Sequence, residues 1–189
     1  MEVITDLDDV PRLQNPVVAV GAFDGIHLGH RQIFSYVKDH AKQINGVSVV
    51  VTFDPHPQVV LHPNTDFFQI FPLEENIRLI GEEDIDYLIV IHFTKTFSQL
   101  SPQDFIQQII RDKIGAKALV MGPSHSFGHQ REGNCNNIAD WCQENQIEII
   151  NIPEFVFNDL KVRSAQIRKL IANNNWDIAD ELLGRKNSF

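Results

Sequence analysis

Two histidines, His27 and His30, flank Leu28 and Gly29 directly after a glycine turn. Upstream, Val17–Val20 is an apolar, β-branched run that ends at Gly21. Asp24 and Gly25 then form a tight turn ahead of the first histidine. A strand, a glycine turn and a helix N-terminus make a phosphate cradle, because free backbone N–H groups and the helix dipole point at a bound anion. Two imidazoles at its mouth can donate hydrogen bonds to phosphate oxygens. This arrangement predicts a chain that binds a nucleotide triphosphate and acts on its phosphates.

The elements that must position these groups are legible from apolar patterning. Short apolar runs at Val17–Val20, Val47–Phe53, Tyr87–Ile91, Ala118–Met121 and Ile147–Ile152 read as buried parallel strands. Helical stretches fall between them, around His30–Gln43, Leu73–Glu82, Ser101–Lys113 and Asn136–Asn145. Ser101 followed by Pro102 reads as an N-cap with proline at the first helical position. Ser164–Ala172 and Trp176–Leu183 read as two closing helices, the last packing on the sheet. Alternating strands and helices predict an α/β domain with a parallel sheet, right-handed crossovers and helices on both faces. Ligands in such sheets bind beyond the C-terminal strand ends, where the strand order reverses. The segments after the strands are polar or glycine-rich: Ala22–His30, Asp54–Pro57, His92–Thr94, Gly122–Gly128 and Val162–Arg168. The stretch Asp54–Pro72 is long and proline-rich, as substrate loops often are.

At 189 residues, with no repeat or linker, residues 1–189 read as one domain. A hydrophobic share of 43% and a charged share of 22% are those of an ordinary globular protein. The net charge of -9 argues against a nucleic-acid partner, which requires a basic face. No apolar run approaches the length of a membrane span, and the acidic N-terminus lacks a signal-peptide profile, so a cytoplasmic location is expected. Cys135 and Cys142 suit reduced, buried thiols; a disulfide or metal pair is the alternative. The eight histidines fit no zinc pattern, so no protein-held metal is expected. Trp141 and Trp176 read as packing residues.

The Gly21–His30 segment resembles the adenylyltransferase module of prokaryotic FAD synthetases, which belong to the HxGH nucleotidylyltransferases and have a Rossmann-like fold. Other stretches carry the resemblance in order along the chain: Thr52–Val60, Leu73–Glu75 with Asp86–Leu88, Phe93–Ser101 with Asp104–Phe105, Val162–Arg168 and Ala179–Arg185. In the common bifunctional members a riboflavin kinase domain begins at about the point where this chain stops. The resemblance therefore implies a monofunctional enzyme that joins AMP from ATP to FMN, giving FAD and pyrophosphate.

In that reaction the FMN phosphate attacks the α-phosphorus of ATP. A phosphate oxygen is already ionised at neutral pH, so catalysis is positioning and charge stabilisation. The resemblance implies that His27 and His30 hydrogen-bond the α- and β-phosphates, one of them carrying a proton. Arg168 would clamp the β/γ-phosphates with its planar fork, and Ser164 would donate to the same group. Gly21, Phe23, Asp24, Gly25, Gly29, Gly122 and Ser124 are expected on the ATP side, Asp24 as a turn residue rather than a metal ligand. Phe53, Pro55, His56, Pro57, Phe93 and Phe127 are expected on the FMN side. A Mg²⁺ held by phosphate oxygens and water is expected with ATP.

Three positions depart from the family pattern. Ser124 stands for an Asp or Asn, with His125 for a Phe; Arg163 and Ala165 stand for a Ser and a Thr around Ser164; and Asn76 stands for a lysine. Each lost hydrogen bond to a charged phosphate costs roughly 1.5–3 kcal/mol. Two alternatives therefore stand beside the main reading: a flavin-nucleotide-binding paralogue with weak or no catalysis, and a related transferase with another phosphorylated acceptor. Oligomeric state is not legible.

Overall fold

The computed structural model describes residues 1–122, 128, 133 and 135–186, without the side chains of residues 135 and 136. Ser124, His125, Phe127 and His129 lie outside the described residues, as does the side chain of Cys135.

The five strands read from the sequence form within a residue or two of the expected bounds: β2 (Val17–Val20), β3 (Ser48–Asp54), β4 (Tyr87–His92), β5 (Ala118–Met121) and β6 (Glu148–Asn151). A short N-terminal strand, β1 (Glu2–Ile4), adds to the edge of β4. Together they make a six-stranded sheet in the order β1-β4-β3-β2-β5-β6, with parallel pairing throughout. The chain winds outward from β2 through β3 to β4, then returns to β5 on the other side of β2. The strand order therefore reverses between β2 and β5.

Both faces of the sheet are covered, which explains why the strands read as continuous apolar runs rather than alternating ones. Val17 and Ala19 of β2 point into one core with Phe34, Val37 and Ala41 of α1 (Leu28–Gln43) and Leu79 and Ile80 of α3 (Leu73–Gly81). Val18 and Val20 point into the other, with Phe105, Ile109 and Ile110 from the segment that follows Ser101 and Ile138 and Cys142 of α5 (Cys135–Glu144). The side chains of Val17, Val18, Phe34 and Ile110 are fully buried. Each such side chain contributes roughly 1.5–3 kcal/mol.

Several local features differ from expectation. The Ser101–Lys113 stretch is not one regular helix: α4 (Pro102–Phe105), capped by Ser101 Oγ accepting from the Asp104 amide at 3.0 Å, passes into a π-helical turn over Ile106–Arg111. The long proline-rich loop contains a short helix, α2 (Pro57–Leu61). After β6 comes a small hairpin, β7 (Val156–Phe157) and β8 (Leu160–Lys161), leading into α6 (Ser164–Ala172) and α7 (Trp176–Leu183). Helix α7 packs on α6, and its Ala179, Leu182 and Leu183 join the α1-side core. Helix α1 ends where Gly46 crosses the backbone at Asn15. A Cβ there would lie 2.0 Å from the Asn15 carbonyl oxygen, so only glycine fits.

Candidate active site

The turn between β2 and α1 is wound tightly. Phe23 (φ 41°), Gly25 (φ 89°) and Ile26 (φ 37°) all adopt positive φ. Such conformations are costly for a phenylalanine and a β-branched isoleucine and persist only where surrounding packing and hydrogen bonds impose them. Here the turn is tied from four sides. The Gly21 amide donates to Val51 O at 3.0 Å. Thr52 Oγ1 donates to Ala22 O at 3.1 Å. The Gly25 amide donates to Asn76 Oδ1 at 2.9 Å, and Asn76 Nδ2 donates to Phe71 O at 3.1 Å. Ser164 Oγ donates to Asp24 O at 3.0 Å.

The turn delivers His27 as the N-cap of α1. The His30 amide donates to His27 Nδ1 at 3.2 Å, so Nδ1 is an acceptor and the proton of the neutral ring sits on Nε2. The two imidazoles stack, with centroids 3.6 Å apart, and Phe23 meets His30 edge-on at 5.1 Å. Burial, then the positive charges of Arg168 and Arg185, pushes His27 down to about 3. Burial pushes His30 well below the ordinary histidine value, with His27, Arg168 and Arg185 adding to the effect. In the free protein, burial therefore favours the neutral form of both rings. Gly29 lets the chain before α6 come close, since a Cβ there would sit 3.1 Å from Val162 O and 3.2 Å from the His27 ring.

A cavity of about 800 Å³ opens where the strand order reverses, between Gly21 beyond β2 and Gly122 beyond β5. Its lining includes His27, His30, Gly29, Phe23 and Ser164 on one side, and Phe53, His56, Pro57 and Phe93 on the other. Most of the residues expected at the site are thus brought together. Phe53, Phe93 and Phe97 form an aromatic wall with ring centroids 5.5–6.2 Å apart. His56 caps α2 through Nδ1, which accepts from the Gln58 amide at 3.1 Å, and burial holds it near 4.

Four expected residues stand elsewhere. Asp24 is only 1% exposed and does not reach the cavity; its carboxylate accepts from the amides of Ile70 (2.9 and 3.0 Å) and Phe71 (3.1 Å). Burial raises its pKa, and the amides and Arg168 oppose that shift. Gly25 is committed to Asn76, and Pro55 follows a cis Asp54–Pro55 peptide outside the lining. Arg168 does not open freely into the cavity: Nη1 pairs with Asp24 Oδ2 at 2.7 Å, and its guanidinium lies 4.8 Å from the centre of the Phe67 ring. The N-cap of α6 is Arg163, whose side chain pairs with Glu154 at the cavity rim.

Sequence reasoning missed Asn76 as a tie, Glu154 as the partner of Arg163, and Phe97 in the aromatic wall. Only Phe97 had a sequence signal, four residues after Phe93 in a stretch already singled out.

A family model described as FAD synthetase matches residues 9–166. The chain belongs to the FAD synthetase family. A bifunctional riboflavin kinase/FMN adenylyltransferase of Buchnera aphidicola is 35% identical over 98% of this chain and 59% of its own length. The protein of that name from Listeria monocytogenes is 32% identical over 90% of this chain and 54% of its own. The chain thus spans rather more than half the length of these relatives in the family. The crystal structure of a protein named macrolide-efflux protein, from Streptococcus pneumoniae, superposes with a TM-score of 0.85 at 28% identity, covering 97% of this chain and 59% of that one. Among the described residues here, no helix is long and apolar enough to cross a membrane.

Proposed function

We propose that the chain is an FMN adenylyltransferase, which transfers AMP from ATP to FMN and releases pyrophosphate. The observation that carries this reading is the cavity at the β2/β5 reversal, with two helix N-termini on one side and an aromatic wall on the other. Helix α1 begins at the stacked imidazoles, and α6 begins at Arg163 without a side-chain cap, leaving its first amides to a ligand. That end suits the triphosphate; the phenylalanine wall suits the isoalloxazine ring of FMN.

In this reading an ionised oxygen of the FMN phosphate forms a bond to the α-phosphorus of ATP. The bond from that phosphorus to the bridging oxygen breaks in line, and the electron pair leaves with pyrophosphate. No proton need be removed from the nucleophile. His27 Nε2–H donates to a phosphate oxygen, and the neutral rings gain basicity as negative charge arrives beside them. Ser164 and the α6 N-terminus hold the leaving phosphates. Arg168 reaches them by exchanging its Asp24 partner for phosphate oxygens.

Mg²⁺ would come with the triphosphate and spread its negative charge. The nearby carboxylates suit that arrangement better than a protein-held ion, because Asp24 is already bound to two amides and Arg168, and Glu154 to Arg163 and Lys161.

The test is an end-point assay of purified protein with ATP, Mg²⁺ and FMN, separating flavins by chromatography and measuring pyrophosphate. FAD and pyrophosphate should appear in equal amounts. Folded protein that forms neither would overturn the reading.

A further inference from the structure

We propose that Arg185 is a positioning residue for the transfer reaction: the turn that ends α7 reaches back to fix the peptide plane between Ile26 and His27, and so aims the His27 imidazole. The proposal rests on the adenylyltransferase reading for its kinetic test. Arg185 is absent from the cavity lining and hydrogen-bonds the backbone at Ile26, so the role proposed for it runs through that backbone.

Three features support it. Arg185 Nη2 donates to Ile26 O at 2.8 Å, a bond between residues 159 positions apart. That carbonyl belongs to the peptide leading into His27, and Ile26, fully buried, is held at a φ of 37° that an isoleucine avoids. A backbone in such a conformation needs an external hold, and the guanidinium supplies one at the residue before the N-cap. The delivery of Arg185 is itself constrained. Gly184 takes a φ of 66°; its amide donates to Glu181 O and that of Arg185 to Asp180 O, the paired closure of a Schellman turn. A Cβ on Gly184 would lie 2.5 Å from Leu28 Cδ2, so the turn presses directly on the first residue of α1. Finally, Arg185 Nη1 is buried without a hydrogen-bond partner among the described residues. The guanidinium is half-buried, and a buried nitrogen is left without a partner at a cost that is kept where its position matters.

The experiment compares the full chain with Arg185→Met and Arg185→Lys in steady-state FAD formation, and records the imidazole ¹⁵N–¹H spectrum of His27 in each. Arg185→Met should lower kcat by roughly 10- to 100-fold, the scale of a small misplacement of a catalytic group, with both KM values within about threefold. The His27 ring resonances should shift. Arg185→Lys, which keeps a donor, should recover part of kcat and move the spectrum back toward the parent. Unchanged kcat with unchanged His27 resonances would overturn the proposal; so would a loss confined to KM, which would place Arg185 on substrate. If Arg185→Met does not fold, Arg185→Gln, polar but too short to reach Ile26, carries the same readouts. A parent chain that makes no FAD would sink the adenylyltransferase reading alone, and the His27 spectra would then decide on Arg185 by themselves.

Discussion

At His27 one ring nitrogen is committed to the fold and the other is left for chemistry. Nδ1 accepts from the His30 amide, and Nε2–H remains available at the cavity. The two roles separate by mutation. His27→Ala removes both, and the lost cap alone costs about 0.5–2 kcal/mol. His27→Asn keeps a capping oxygen and should unfold at a denaturant concentration closer to the parent's, yet both variants should lose at least about 100-fold in kcat. Parent-like turnover in His27→Asn would remove the phosphate role. Asn76 makes a contrasting case. Its amide joins the Gly25 amide to the Phe71 carbonyl in a buried setting, so Asn76→Ala should destabilise by about 1–3 kcal/mol for each group stranded, read from a shifted denaturant midpoint at constant slope. The sequence made the imidazole pair legible because the spacing of histidines around Gly29 after a glycine turn has a direct chemical meaning. It did not show that Asp24 ties down Ile70 and Phe71 or that Arg168 pairs with Asp24. Those contacts join residues more than forty positions apart, and no local pattern encodes them.

At the scale of elements, the sheet was legible because parallel strands buried on both faces leave uninterrupted apolar runs, as Val17–Val20 and Ala118–Met121 do. What escaped has no such run. β1 is three residues long at the sheet edge with two of them exposed, and β7 and β8 are two residues each. The change from α- to π-helix at Ile106 has no signature, since the isoleucines there satisfy either period. Gly46 carries an element-scale prediction. Its backbone crosses that of Asn15 where α1 hands over to β3, and neither strand of chain can yield without moving β2 or β3. Gly46→Ala should therefore cost roughly 1–3 kcal/mol, as overpacked sites do, measured as a drop in thermal midpoint. A parent-like midpoint would show that the crossing can open.

For the whole molecule, the neutral imidazoles couple stability to pH. In the unfolded chain each ring takes up a proton below about pH 6.5, whereas folded His27 resists until about 3 and His30 is held well below its ordinary value. Their folded values are depressed, so the unfolded state binds more protons in between and stability falls as pH drops through that window. Between pH 6.5 and 5 the loss from His27 is about 1.7 kcal/mol, and His30 acts in the same direction. Thermal unfolding of the parent should show it, and His27→Asn should flatten the profile; an equally steep profile in that variant would refute the assignment to His27. A different consequence follows from where the cavity lies. Its walls run from Gly21 through Phe93 to Ser164, meeting only once β5 has come back beside β2. No shorter stretch of the chain presents the whole surface, so a ligand that needs all of these walls meets only the finished fold. Bound at a hundred times its Kd, a ligand adds about 2.7 kcal/mol to the folded state as one unit. On the adenylyltransferase reading, nucleotide added to the purified chain should therefore slow its cleavage by a protease over the whole length at once.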